Sequence, residues 1–350
     1  MKKLKDEAYL GSKEKGYPFQ GDVREGIAFD NYEANFSVLE YDRNRNESVI
    51  LPIFRIQAKL LAEFISAEKY DRILDLGSRT GITTLEIFLQ NRGVNVLGIE
   101  KSPSMHITAL YKFHQLDKDK KEFFQIIKKT GCADLLSKKL SDYWENFREE
   151  SQFYKDKVRF IVGEFDKLKE PKDDSIDWAV ANNYMHWTEL SETFKHLYKS
   201  LKRGRELFWN TASHFFTDSK FPAERYGFRY NDFLKYVLDE VEKNGLEVED
   251  YKELSKPTHD IDSIKAVSKE QGFSTEKVST YLIPVDFQIF ISNHLPVFVK
   301  TLVASEVNEK ELERIIKEAI AKTVNNPNAF KDNEHKYDII PIFRSVKTKT

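Results

Sequence analysis

One stretch of the sequence constrains the fold of this chain most. It consists of a short apolar run, a turn with glycines, a helical segment and a second apolar run. The first run covers residues 72–76, and the turn after it contains Gly77 and Gly81. Residues 82–90 carry apolar side chains at helical spacing, and residues 94–100 form the second run, which ends on an acid. Buried parallel strands show such runs. This order is typical of a nucleotide-binding half-fold, in which ligands sit beyond the carboxyl ends of the strands.

The details of the turn distinguish between classes of nucleotide ligand. The acid that ends the second run, Glu100, lies 19 residues after Gly81, close to the spacing at which an acid grips ribose hydroxyls. A dinucleotide fold needs the pattern G-x-G-x-x-G, so that a helix N-terminus can hold a pyrophosphate. This chain instead has Asp75 just before Gly77. An acid there would repel a pyrophosphate and attract an ammonium group, such as the amino-acid end of S-adenosylmethionine, so a nicotinamide dehydrogenase is a distant alternative.

The turn also resembles a known family motif. Residues 75–81, Asp-Leu-Gly-Ser-Arg-Thr-Gly, are similar to the first motif of class I S-adenosylmethionine-dependent methyltransferases, D-L-G-C-G-T-G, with Arg79 in place of the middle glycine. Weaker matches follow in the family's order, so that the resemblance covers roughly residues 55–115, 158–212, 260–284 and 336–346. It implies an α/β fold with a doubly wound, mostly parallel sheet, the Rossmann-like methyltransferase fold, with helical insertions that form a cap.

The resemblance also implies how the chain is organised. The parts are an N-terminal lid segment (1–50), an S-adenosylmethionine-binding core (51–116 and 158–212), a helical insertion (117–157), an aromatic-rich cap insertion (213–259) and a C-terminal part of the core sheet with added helices (260–350). Apolar periodicity predicts helices over residues 53–64 and 308–323. Residues 336–346 are predicted as a final strand, either antiparallel at the sheet edge or inside the reversed corner of the sheet.

The composition of the chain limits the cellular compartments and the binding partners that we expect for the protein. The formal net charge is −2, so no global charge draws the chain to nucleic acid or anionic lipid. A single cysteine, Cys132, excludes an internal disulfide and a multi-cysteine zinc site, and we predict no metal. The N-terminus lacks the apolar core of a signal peptide, and the stretch 285–303 is too polar to span a bilayer. These features predict a cytoplasmic protein without a membrane span; they do not indicate an oligomeric state.

The resemblance assigns a set of cofactor-binding residues. They are Asp75, Gly77, Ser78, Gly81, Glu100, Lys101, Met105, Glu164, Phe165 and Asn182. Asp75 would lie near the amino end of the cofactor, Glu100 would accept from two ribose hydroxyls, and Glu164 with its neighbour Phe165 would hold the adenine. Three of these residues have an alternative interpretation: Asp75 as a cap of the turn, Glu100 as a solvated acid at a strand end, and Met105 as a core residue.

Residues for the methyl acceptor are assigned on weaker grounds. The predicted substrate pocket consists of Tyr32, Tyr184, His186, Trp187, Phe215 and Tyr226. His186 is the predicted catalytic residue, acting as a base or orienting a substrate oxygen, although a histidine that packs in the core or starts a helix fits the pattern equally. The aromatic segment from Phe215 to Phe233 leaves the end of the fifth predicted strand, where a lid over the acceptor would lie. The alternative for this segment is a plain packing subdomain.

The resulting prediction is an S-adenosylmethionine-dependent methyltransferase that acts on a small organic or lipid-like acceptor by in-line transfer and releases S-adenosylhomocysteine. The alternatives are a nucleic-acid methyltransferase and a non-catalytic methyltransferase-like binding protein. Against the first, residues 182–185 read Asn-Asn-Tyr-Met rather than N-P-P-Y, and no basic run interleaved with aromatics occurs. The replacement of two glycines of the family by Arg79 and Arg205 keeps the non-catalytic alternative open.

Overall fold

The fold is given by a computed structural model of the chain. It describes residues 53–116, 138–168, 171–185, 188–211, 216–217, 230–248, 259–284, 299, 303, 307–329 and 337–348. The helices are α1 (Ile53–Glu63), α2 (Ile82–Gln90), α3 (Pro103–Lys112), α4 (Lys138–Ser151), α5 (Leu190–Ser200), α6 (Tyr230–Lys243), α7 (Ile261–Glu270) and α8 (Glu309–Val324). The strands are β1 (Arg72–Leu76), β2 (Asn95–Glu100), β3 (Val158–Val162), β4 (Ile176–Ala181), β5 (Leu201–Asn210), β6 (Phe216–Thr217), β7 (His259–Asp260), β8 (Phe273–Pro284) and β9 (Tyr337–Lys347).

Seven of these strands form one sheet in the order β3-β2-β1-β4-β5-β9-β8. Strands β1 to β5 run parallel to one another, with Leu74 of β1 opposite Leu97 on one side and Ala179 on the other. The strand order reverses between β1 and β4, which is the position at which open α/β sheets bind ligands. The predicted doubly wound, mostly parallel sheet is therefore confirmed.

The last strand occupies the reversed corner of the sheet. Strand β9 lies between β5 and β8 and runs antiparallel to both. The sequence left two positions open for this strand, at the edge or inside the corner, and the structure places it inside. Its central residues, Ile340, Ile342 and Phe343, are fully buried, as expected for a strand paired on both sides.

The alternation of side chains along the strands divides the core between the two faces of the sheet. Apolar residues of α1, α2 and α3 pack with Ile73, Val180 and Phe208 on one face. Residues of α5 and α7 pack with Leu74 and Trp209 on the other. Both faces are thus covered by helices, which explains why the central strands read as continuous apolar runs in the sequence.

Helix α4 belongs to the first of these two layers. Trp144 and Phe147 are buried within it, and the Phe147 ring packs edge-on against Phe113 with ring centroids 5.6 Å apart. The spacing of Tyr143 and Phe147 predicts this apolar face. The side chains of residues 138–141 lie outside the described part of the chain.

A separate apolar cluster joins two helices that are distant in the sequence. Phe233, Leu234 and Val237 of α6 pack with residues of α8 that include Ile316 and Ala319. The sequence prediction placed α6 in the cap insertion and α8 in the C-terminal part of the core sheet, and it did not anticipate that the two pack together. The division of the chain into five parts stays a prediction.

Candidate functional site

The loop after β1 forms the centre of the candidate site because three of its residues have left-handed backbone. Gly77, Arg79 and Gly81 have φ of 67°, 49° and 85°. Glycine adopts such angles at no steric cost, whereas arginine does so rarely. The Ser78 amide donates to the carbonyl of Ile99 at the end of β2, over 3.0 Å. This hydrogen bond holds the loop against the neighbouring strand, and Gly81 is the N-cap of α2.

Asp75 is fully buried at the end of β1. Its Oδ2 accepts a hydrogen bond of 2.5 Å from Thr84 Oγ1 on α2, and its Oδ1 has no partner among the described residues. Burial raises the pKa of this carboxyl group to about 7, and the nearby Glu100 also raises it, while the Thr84 hydrogen bond and Arg79 act in the opposite direction. A buried acceptor without a partner is costly unless a ligand donates to it.

Glu100 is held by two backbone amides at the end of β2. Its Oε2 accepts from the Arg79 amide and its Oε1 from the Ser102 amide, each over 2.8 Å. A carboxylate has about four acceptor positions, so one that is fixed by two amides can also accept from hydroxyl groups. The predicted ribose-binding acid is therefore a fixed residue of the loop junction and is only 8% exposed, rather than a solvated strand-end acid.

The side chain of Arg79 connects the loop after β1 with the loop after β4. Its Nη2 donates to the backbone carbonyl of Asn183 over 2.9 Å, and its guanidinium carbon lies 5.4 Å from the centre of the Phe54 ring on α1. This distance is within the range of a cation–π interaction. The residue that replaces the family's middle glycine thus places a positive charge between two loops at the switch point of the sheet.

A network of buried amides lies at the carboxyl ends of β4 and β5. Asn182 Nδ2 donates to the carbonyl of Phe54 and to Thr83 Oγ1, and Asn182 Oδ1 accepts from Asn210 Nδ2 over 3.0 Å. Asn210 Oδ1 accepts from the Asn183 amide over 2.6 Å. The Asn182 side chain is thus occupied by protein groups, and its predicted contact with the cofactor stays a prediction.

Asn183 extends this network to helix α1. Its Nδ2 donates to Gln57 Oε1 over 2.5 Å, while its buried Oδ1 has no partner among the described residues. The sequence prediction missed Thr84, Gln57, Asn183 and Asn210. The available signal was an asparagine at the carboxyl end of two neighbouring parallel strands: Asn182 directly after β4 and Asn210 as the last residue of β5.

Tyr184 lies across the loop after β1. A Cβ atom on Gly77 would overlap Cδ2 and Cγ of the Tyr184 ring. Burial raises the pKa of the half-buried Tyr184, and so do the charges of Glu100, Asp166 and Glu164. The ring therefore lies over Gly77 and near the acids that end β2 and follow β3.

The turn after β3 carries the residues predicted to hold adenine. Glu164 forms ion pairs with Lys167, over 2.5 Å, and with Lys101, over 3.8 Å. Phe165 is buried in the same apolar cluster as Ile99, and its ring packs edge-on against His196 of α5. The Ser102 hydroxyl caps α3 by accepting from the Met105 amide, and Met105 itself is buried in the core. Both proposed interpretations of Met105 fit this position.

Several predicted residues fall outside the described part of the chain. They are Tyr32, His186, Trp187, Phe215 and Tyr226. Within the described ranges, no group of three or more His, Cys, Asp or Glu side chains could hold a metal ion, and no helix has both the length and the apolar character to cross a membrane.

Comparisons with known proteins were made by sequence and by structure. Neither a family model nor a curated protein sequence matches the chain. Phosphoethanolamine N-methyltransferase 2 of Haemonchus contortus, solved with S-adenosyl-L-methionine, is similar in structure with a TM-score of 0.51 at 14% identity, over 93% of this chain and 60% of that one. The chain thus spans less than two thirds of that enzyme.

Two further solved structures are similar with lower scores. The YcgJ protein of Bacillus subtilis has a TM-score of 0.47 at 12% identity, over 84% of this chain and 99% of that one. A sarcosine dimethylglycine methyltransferase of Galdieria sulphuraria has a TM-score of 0.45 at 13% identity, over 85% of each chain. The Haemonchus contortus structure and the strand order together confirm the Rossmann-like methyltransferase fold.

Proposed function

We propose that this protein is an S-adenosylmethionine-dependent methyltransferase that acts on a small organic or lipid-like acceptor. One observation carries the proposal: two acids near the carboxyl ends of the neighbouring parallel strands β1 and β2, Asp75 and Glu100, lie close enough to influence each other's charge, beside the switch point between β1 and β4. Glu100 is fixed by two amides of this region, and Asp75 keeps a buried oxygen without a described partner. This arrangement suits a ligand that carries both a ribose and an ammonium group.

Different residues bind different parts of the cofactor, according to their charge and hydrogen-bonding capacity. Asp75 Oδ1 and the unpartnered Asn183 Oδ1 are acceptors for the ammonium group of the amino-acid end. Glu100 accepts from the ribose hydroxyls, and Glu164 accepts from the amino group of adenine beside Phe165. Gly77 carries no side chain, so a ligand can approach the loop closely there once the Tyr184 ring moves aside.

The chemistry requires positioning more than covalent help. Bound S-adenosylmethionine supplies a methyl group on a positively charged sulfonium, and the leaving group is a neutral thioether. The task of the protein is then to hold the acceptor atom in line with the methyl group, which can supply several kcal/mol of the barrier. A base is needed only for an acceptor that is protonated at rest, and His186 remains the predicted base.

The class of acceptor rests on the sequence. The sequence after β5, residues 215–230, is rich in aromatic residues, and an apolar pocket with few polar groups suits an organic acceptor. Phe233, which follows them, packs against α8 instead. The net charge of −2 and the absence of a basic run with aromatics disfavour a nucleic-acid substrate.

One observation favours a second candidate, a binding protein that does not transfer the methyl group. The Tyr184 ring covers Gly77, the position at which a ligand would approach the loop. If the ring stays there, the adenosine part of the cofactor cannot reach the loop after β1. Under this alternative the chain would serve as a methyltransferase-like partner or adaptor.

A transfer assay separates the two candidates. The protein is incubated with S-adenosylmethionine labelled in its methyl group and with a fractionated metabolite extract, and label is followed into new organic products. We expect label in a small molecule, and less of it with Glu100→Ala at a cofactor concentration below saturation. The absence of both cofactor binding and transfer would support the second candidate, and label in nucleic acid would refute the proposed acceptor class.

A further inference from the structure

We propose that the Tyr184 side chain is a gate over the cofactor site: its ring turns away from Gly77 before the cofactor enters, and it slows entry by occupying this position the rest of the time. The role of Tyr184 rests on the proposed function and deepens it, because it states how a ring that covers the loop after β1 is compatible with cofactor binding. It concerns how often this loop is open to a ligand, and not which part of the ligand the loop binds.

The first support is the closed position of the ring. A Cβ atom on Gly77 would overlap Cδ2 and Cγ of Tyr184, so no ligand atom can contact this face of Gly77 while the ring lies there. The ring also packs on the apolar cluster that contains Ile99 and Phe165. The closed position is thus a packed one, and it lies at the switch point of the sheet.

The second support is the fixed backbone on both sides of Tyr184. The Asn183 amide donates to Asn210 Oδ1 over 2.6 Å. On the other side Met185 is fully buried, and its carbonyl accepts from the amide and the hydroxyl of Thr188, over 3.2 and 2.9 Å. Opening therefore requires rotation of the Tyr184 side chain about its own bonds rather than movement of the loop after β4.

The third support is that only apolar packing holds the ring closed. The pKa of the Tyr184 hydroxyl is raised by burial and by the charges of Glu100, Asp166 and Glu164, and no hydrogen bond contributes to it. The hydroxyl has no hydrogen-bond partner among the described residues. Since the ring is only half-buried, leaving Gly77 costs part of the burial free energy of an aromatic side chain and no polar contact.

The alternative for Tyr184 is a ring that stacks on the bound ligand. A gate lowers the association rate constant by the fraction of molecules that are closed, and it leaves the dissociation rate constant unchanged. A stacking contact instead slows dissociation, as most interface contacts do. The two roles therefore differ in the rate constant that changes when the ring is removed, and in the direction of the change in affinity.

The experiment measures the association and dissociation rate constants of S-adenosylhomocysteine by stopped-flow mixing. For Tyr184→Ala we expect association about 5- to 30-fold faster, the range for releasing part of the burial of an aromatic ring, and unchanged dissociation. Tyr184→Phe keeps the ring and should match the unmodified protein. Tyr184→Leu keeps apolar packing with a smaller side chain and should speed association by a smaller factor, so it provides the test if Tyr184→Ala does not fold.

The matched control is Tyr198→Ala. The Tyr198 ring lies on Gly272 in the same way as Tyr184 lies on Gly77, and both glycines have positive φ. Gly272 directly precedes β8, which runs in the same direction as β5, so this second pair lies at the edge of the sheet opposite to the site. Tyr198→Ala should leave both rate constants unchanged.

The outcomes separate the gate from the proposed function. An association rate constant that is unchanged or lower in the folded Tyr184 variants, or faster dissociation as their main effect, would overturn the gate and leave the proposed function intact. Binding by Tyr184→Ala but not by the unmodified protein would confirm the gate and favour the second candidate function. The absence of binding by the unmodified protein and by every variant would instead overturn the proposed function.

Discussion

The pH dependence of Asp75 gives a direct test of the electrostatics of the site. Asp75 is fully buried with one oxygen unpartnered, and burial raises its pKa from 3.8 to about 7. A carboxyl group whose pKa is higher in the folded than in the unfolded protein destabilises the fold once the pH exceeds 3.8. The destabilisation grows with rising pH until about pH 7 and is constant above that.

The magnitude follows from about 1.4 kcal/mol for each pKa unit. Asp75 should destabilise the ligand-free protein by about 2 kcal/mol at pH 5 and by about 4 kcal/mol at pH 8. Asp75→Asn removes the charge and keeps an oxygen for the Thr84 hydroxyl. We therefore expect the free energy of unfolding of the variant, relative to the unmodified protein, to increase by about 2–3 kcal/mol between pH 5 and pH 8.

The assay is urea unfolding of both proteins at the two pH values, because the difference between them cancels the titration of all other groups. Asp177→Asn is the matched control. Asp177 is also buried in a strand, but its pKa is lowered: the Arg72 amide and Lys202, with Nζ 2.7 Å from Asp177 Oδ1, outweigh the effect of burial. Its stabilising charge is fully present above its unfolded pKa of 3.8, so its effect should not change between pH 5 and 8. A pH-independent effect of Asp75→Asn would refute the assigned pKa.

Three further expectations concern the same site. Glu100→Ala should weaken S-adenosylhomocysteine binding by about 1–3 kcal/mol, measured by calorimetry, and it should also lower stability because two amides lose their acceptor; unchanged affinity in a folded variant would exclude Glu100 from the ribose site. Gly77→Ala should destabilise the protein by about 1–3 kcal/mol. In a double-mutant cycle measured by chemical denaturation, Tyr184→Ala should restore part of this loss. Strict additivity of the two changes would show that the Tyr184 ring does not lie on Gly77. The affinity for S-adenosylhomocysteine should rise about tenfold from pH 6 to pH 8, as the ionised fraction of Asp75 rises through a pKa of about 7, and this rise should disappear in Asp75→Asn.

The local sequence predicted the elements of the fold well because each carries its own pattern. Residues 82–90 show apolar side chains at helical spacing and a glycine before them, and α2 has the same bounds. Residues 308–323 were predicted as a helix, and α8 spans 309–324 with Asn308 as its N-cap. The position of β9 inside the sheet could not be predicted from its own residues, because it depends on whether β8 or β9 pairs with β5.

Only the part of the site that lies in one continuous stretch of sequence was predicted. Asp75, Gly77 and Glu100 lie in one continuous motif, and the structure places them around one loop. The links from Arg79 to Asn183 and from Asn183 to Gln57 join residues that are 104 and 126 positions apart. Such contacts arise from the packing of β4 beside β1 and of α1 over both, which no local pattern encodes. The inward position of Glu100 also depends on two amides from different loops.

Calorimetric titration of the unmodified protein with S-adenosylhomocysteine, and separately with NAD, tests the central claim most directly. The acids Asp75 and Glu100 at the ends of β1 and β2 favour a ligand with a ribose and an ammonium group over one with a pyrophosphate. The account predicts saturable binding of S-adenosylhomocysteine at one site per chain and no heat of binding with NAD. Binding of NAD, or the absence of S-adenosylhomocysteine binding by the folded protein, would contradict it.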